Sequence, residues 1–157
     1  MIRAFGVLAG LAATGLLLAG CAVAGVPRNS AGQITAPATI DSFQIVVGDC
    51  TGSMKDGGDV GRVEVMPCDQ SHYFEAYAKT DLPDGNFPGD SEVTKQADKF
   101  CTAEFNTFVG VAAKDSSYDM YYLYPVQESW ATGDREVLCL AGAKDGGVTG
   151  SLKGVAK

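Results

Sequence analysis

A chain of 157 residues has room for one domain and little more. Hydrophobic residues make up 46% and charged residues 20%, a globular composition and not a disordered one; 20 glycines without a three-residue period exclude collagen. Nineteen acidic residues against twelve basic ones give a net charge of -7, which argues against nucleic acid as a partner, because phosphate needs a basic face.

Residues 1–20 read as an address. Arg3 is a short positive region, and from Ala4 to Ala19 the only polar side chain is Thr14. The run is shorter than the roughly 20 apolar residues that cross a bilayer, so it is a signal-peptide core. It ends in Leu17-Leu18-Ala19-Gly20-Cys21, which resembles the lipobox of bacterial lipoproteins, in which the Cys is acylated and becomes the new N-terminus. Cys21 is thus the expected lipidation site. One acyl chain holds only weakly, whereas a diacylglycerol plus an amide-linked chain is effectively permanent. Residues 21–157 carry a net charge of -8, so the lipid and not the protein surface would hold the chain at an anionic membrane. Residues 21–40 are small and polar, with Pro27 and Pro37, and read as the lipidated Cys and a flexible tether.

The folded domain is expected over residues 41–157. Residues 42–47 alternate and then run apolar, predicting a first strand; 62–67 alternate with Val63 and Val65 on one face; 73–78 predict a third strand. Residues 81–89 are rich in turn formers. The period then changes: Val93, Ala97, Phe100, Cys101, Phe105 and Phe108 recur at helical spacing, predicting a helix over about 91–109 with Ser91 as N-cap and Gly110 near its end. Residues 118–125 and 136–143 read as two more strands, and the tail from Lys144 as loose. The order β-β-β-α-β-β, one long amphipathic helix on a mostly antiparallel sheet, is an α+β domain.

Four cysteines remain beyond Cys21. An even number outside the cytoplasm implies disulfides, with three possible connectivities. Pairing the first two strands brings Cys50 near Cys68. Cys101 on the apolar stripe of the helix faces Cys139 in the last strand, so Cys50–Cys68 and Cys101–Cys139 are favoured. The fold is then disulfide-stapled.

Little catalytic chemistry is visible. His72 is the sole histidine, and a Cys/His nucleophile would need an unpaired Cys. No G-x-S-x-G elbow and no C-x-x-C occur, so neither a serine hydrolase, a redox enzyme nor a zinc site on Cys68 and His72 is favoured. Asp56-Gly-Gly-Asp59 and the Asp81/Asp84/Asn86 stretch lack the pattern of a calcium loop and read as turns. Gly57-Gly58 is not followed by the Lys-Ser/Thr of a phosphate loop. No catalytic residue, metal or cofactor is expected. Tyr118, Tyr121, Tyr122, Tyr124 and Trp130 cluster in sequence, as core with girdle or as an aromatic groove for peptide or glycan.

Taken together, Val47-Gly48-Asp49-Cys50, Val63-Glu64-Val65 leading to Cys68 with His72 and Glu75 beyond, Phe87-Pro88-Gly89, and a helix with Cys101, Phe105 and Val109-Gly110 form an ordered set. Pro125, then Trp130-x-x-Gly133-Asp134-Arg135-x-Val137-x-Cys139, and a late Gly150-Ser151-Leu152 complete it. The set resembles the septum-formation domain family of actinobacterial envelope proteins and lipoproteins, over roughly residues 43–153. The resemblance implies a link to division or envelope assembly and no established catalytic residues. Beside it, His72, Trp130, Asp134 and Arg135 form a candidate ligand or partner patch, in which Arg135 could hold a carboxylate or simply fix a turn. The expectation is an extracytoplasmic, non-catalytic binding module, lipid-anchored to the outer face of the membrane, with an envelope protein or cell-wall partner. The alternative is a small-ligand, metal-binding or hydrolytic envelope protein using His72.

Overall fold

The structure is a computed structural model and describes residues 25–54, 60–143 and 145–156. Six strands, β1 (Ala38–Asp41), β2 (Cys50–Thr51), β3 (Arg62–Met66), β4 (Phe74–Asp81), β5 (Asp119–Leu123) and β6 (Glu136–Gly142), form one antiparallel sheet in the order β1-β3-β2-β4-β6-β5. The long helix α1 (Asp90–Val109) packs on one face, and a short helix α2 (Gln127–Ala131) lies between β5 and β6. The α+β class holds.

Helix α1 forms where the 3.6-residue period demands. Val93, Ala97, Cys101, Phe105 and Val109 are fully buried and make its inner stripe. Asp90 and Glu92 sit in the first turn, where the helix dipole favours negative charge. The N-cap is Gly89 at φ 93°, and Ser91 lies inside the helix. Gly110 closes the other end in the left-handed conformation, its N–H bonding Asn106 O at 3.0 Å.

Strand β6 lies inside the sheet between β4 and β5, and Val137 to Gly142 are buried on both faces. On the α1 face Val137, Cys139 and Ala141 meet Tyr77 and the helix, and the Cys101–Cys139 disulfide joins helix to strand as expected. Tyr77 sits at a bulge in β4, packs against Phe105 and Phe108, and donates its hydroxyl to Cys101 O at 2.7 Å. Burial, with the charges of Glu104 and Asp98 adding to it, pushes that phenol well above its ordinary range. On the opposite face Leu138 and Leu140 join Phe74, Ala76, Val63, Val65, Ile34, Ile40 and Ile45 in a second cluster.

Three expectations are corrected. First, residues 42–47 are not a strand. The Asp41 carboxylate accepts from Phe43 N at 3.0 Å and Gln44 Oε1 from Asp41 N at 3.2 Å, so residues 42–44 close into a 3₁₀ turn. Second, the flexible tether does not extend to residue 40. Ala38–Asp41 pairs with β3 as an edge strand, Ile34 and Ile40 are buried, and Arg28 clasps Asp49, because these side chains cover an apolar face that nothing else closes. Third, the tail beyond residue 144 is pinned: Val148 exchanges backbone bonds with His72, and Leu152 is buried. Its amide and Ser151 Oγ donate to the buried Glu75 carboxylate at 2.6 and 2.8 Å.

Candidate functional site

The predicted patch does not assemble. His72 precedes the N-terminal end of β4, whereas Arg135 adjoins Glu136, which pairs with Asp81 at the strand's far end. At about 3.3 Å per residue, that separates His72 from Trp130, Asp134 and Arg135 by roughly 25 Å. His72 is 1% exposed; its Nδ1 donates to Gln70 O at 2.9 Å, and Nε2 has no hydrogen-bond partner among the described residues.

Trp130, Asp134 and Arg135 do come together, as a clasp. The Arg135 guanidinium lies 3.8 Å from the Trp130 ring centroid and donates Nη1 to the carbonyls of Trp130 (2.9 Å) and Asp134 (2.6 Å). The indole N–H donates to Gly85 O at 2.9 Å, and Phe87 meets the ring edge-on. The Asp134 carboxylate accepts from Glu136 N, so the Asp–Arg contact runs through backbone and not through the two side-chain charges. Arg135 pairs instead with Asp84 at 3.4 Å, which at 97% side-chain exposure contributes little. These residues tie α2 to the loop after β4.

The disulfide Cys50–Cys68 is present as expected, and Gly150 N donates to Cys68 O. Cys50, Cys68 and Glu75 lie close enough to share one ion. A disulfide sulfur is not a thiolate ligand, however, and Glu75 is engaged by Ser151 and Leu152, so this cluster does not fit zinc. Asp49, 1% exposed, accepts both Arg28 Nη atoms (2.5 and 2.7 Å) and Val46 N (2.9 Å), which raises the Arg28 pKa further. Buried charge is thus committed to the fold. Cys21 and the Asp56/Asp59 stretch lie outside the described residues.

The surface feature of the molecule is on the sheet face away from α1. A groove of about 680 Å³ has Phe74, Tyr121, Leu123, Leu138 and Leu140 along it, with Met54, Val60 and Phe43 at one side and Tyr124, Val126 and Glu128 at the other. That volume lies within the usual range of ligand and peptide sites, about 300–1,000 Å³. Phe74 and Tyr121 meet edge-to-face at 4.6 Å. Phe43, Tyr124 and Val126 are exposed at 68%, 38% and 44%. Its lining includes the carboxylates of Glu128, Asp134 and Glu136 and no cation; the Glu136 carboxylate is met from outside by Lys79 at 2.6 Å. Of the aromatic cluster in the sequence, the tyrosines at 121, 122 and 124 reach this groove and Trp130 does not. Phe43, Phe74, Leu138 and Leu140 did not stand out as groove residues along the chain; the signal for the last two was the unbroken apolar run of β6, which marks a strand apolar on both faces.

A two-disulfide α+β domain, with its two buried carboxylates partnered within the fold, is the build of an extracytoplasmic domain. The sequence model of the family described as septum formation matches residues 47–156, and the chain belongs to that family, with the cell-division or envelope role its description carries. No curated protein and no solved structure matches the chain. Among the described residues, no helix is long and apolar enough to cross a membrane.

Proposed function

We propose that this protein is a non-catalytic envelope lipoprotein, anchored by lipid on Cys21 to the outer face of the cell membrane, whose domain binds an envelope protein or cell-wall component during septum formation. The observation that carries this reading is the groove opposite α1: apolar along its length, exposed at its rim, and built on a sheet that two disulfides hold rigid. A rigid scaffold with an exposed apolar cleft suits recognition. The lipobox supports the anchor, and the burial of His72 supports a structural role for that residue. The test is photo-crosslinking in dividing cells. A photoreactive residue at Val126 should capture a defined partner, and one at the exposed Lys99 on α1 should not. Equal capture from both positions, or none from Val126, refutes the groove as the binding face. A clean deletion that leaves septation and envelope integrity unchanged refutes the role.

A further inference from the structure

The exposed large apolar side chains among the described residues fall in two stretches: Phe43, Val46 and Val47, and then Tyr124 and Val126. Phe43, Tyr124 and Val126 border the groove; Val46 and Val47, 41% and 47% exposed, do not. They sit on a stretch, residues 42–48, that contains no charged residue. That stretch is also where the N-terminal segment is fastened to the body. Arg28 donates to both oxygens of Asp49 and to Gln44 O, and Asp49 accepts from Val46 N. Arg28 follows Cys21 by seven positions, a span of at most about 25 Å when fully extended.

We infer that the loop carrying Phe43, Val46 and Val47 docks on the bilayer surface, its apolar side chains entering the interface beside the anchor. This rests on the lipid-anchored reading above. The buried Arg28–Asp49 pair fixes the end of the leash next to Val46, so an anchored Cys21 keeps this loop within a short distance of the membrane. Tethering at that range raises the local concentration of the loop at the bilayer and lets a small apolar surface suffice. Electrostatics cannot supply the attraction, because residues 21–157 carry a net charge of -8. Docking is therefore apolar in origin, indifferent to added salt at a neutral bilayer and weakened by anionic lipid. It also orients the domain: the leash and loop face the membrane, and the rim with Glu128 and Asp134 points away from it toward envelope partners.

The test uses the full chain, processed in a host that lipidates lipoproteins and reconstituted in phosphatidylcholine vesicles with plain or brominated acyl chains. Val47→Trp places a reporter on the loop, and Phe43→Trp is a second variant should the first not fold. Trp130, buried under Arg135 and Phe87, serves as the internal reference. The expected result is a blue-shifted emission for Val47→Trp that brominated chains quench, no quenching of the wild-type protein, and quenching that falls as phosphatidylglycerol replaces phosphatidylcholine. Intact mass reports lipidation separately. Lipidated Val47→Trp without quenching overturns the docking while leaving the anchor standing, and assigns the loop to a protein contact. An unmodified Cys21 overturns the anchor and the docking with it.

Discussion

The two faces of the sheet are closed in different ways. On one, a single 20-residue helix covers the strands, and the contact is sealed by aromatic packing, a disulfide and the Tyr77 hydroxyl. On the other, the cover is the chain's own N-terminal segment and the curl of β1 and β3, which close only part of the face and leave the groove. One amphipathic helix satisfies one sheet face. The second face, equally apolar along β6, needs another layer, and the described residues supply only part of it. Where it stops, apolar surface stays in water, and that is the surface available to a partner.

The largest effect should come from breaking the sealed face. Phe105→Ala removes a fully buried ring between α1 and Tyr77 and should cost about 3–5 kcal/mol, measured by urea unfolding. Replacing Cys101 and Cys139 together by Ala releases a 38-residue separation and should cost about 4 kcal/mol in the chain-entropy account; the same change at Cys50 and Cys68, 18 apart, should cost about 3. On the other face, Arg28→Ala strips the buried Asp49 of its counter-ion. It should cost about 3 kcal/mol, at the low end for a broken buried pair because Arg28 is itself 21% exposed. Hydrogen exchange should then quicken in β1 and β3 while α1 stays protected; equal loss in α1 would mean that the two faces are not independent.

Tyr77→Phe sharpens the comparison by pH. At neutral pH it should lose about 1 kcal/mol with the bond to Cys101 O. Above the ordinary value of 10.0 the unfolded chain releases this proton while the native protein keeps it. Wild-type stability from this group is therefore whole below pH 10.0 and declines as pH rises further, whereas the Phe variant lacks that decline. The smallest effect is expected at the groove rim: Tyr124→Ser should change stability by no more than about 0.5 kcal/mol and still abolish crosslinking from the photoreactive residue at Val126.

Much of the architecture was legible along the chain. The stripe Val93 to Phe105 specified α1 because helical period and burial coincide there. The Cys101–Cys139 pairing followed from the apolar stripe of the helix facing the last strand; Cys50–Cys68 was expected from a strand at 42–47 that does not form, and holds because the short β2 at Cys50–Thr51 pairs with β3. Residues 42–47 misled because alternation alone does not distinguish a strand from a capped turn with one buried Ile; the Asp41 and Gln44 side chains settled it locally. Residues 25–40 misled because small polar composition says nothing about an open sheet edge some 25 residues further on. The patch of His72 with Trp130, Asp134 and Arg135 misled because His72, Asp134 and Arg135 lie beside strand ends, and only register tells which end.

By itself, the sequence determined the α+β class, the helix and the staples, since each depends on local pattern or on pairing between neighbouring elements. Only the tertiary structure decided that Ala38–Asp41 is part of the sheet, that Arg135 stacks on Trp130 and bonds the Trp130 and Asp134 carbonyls, and that the described residues leave the second face partly open. Those outcomes depend on how far the curl of β1 and β3 carries the chain across an apolar surface, a sum over long-range contacts that no single segment encodes.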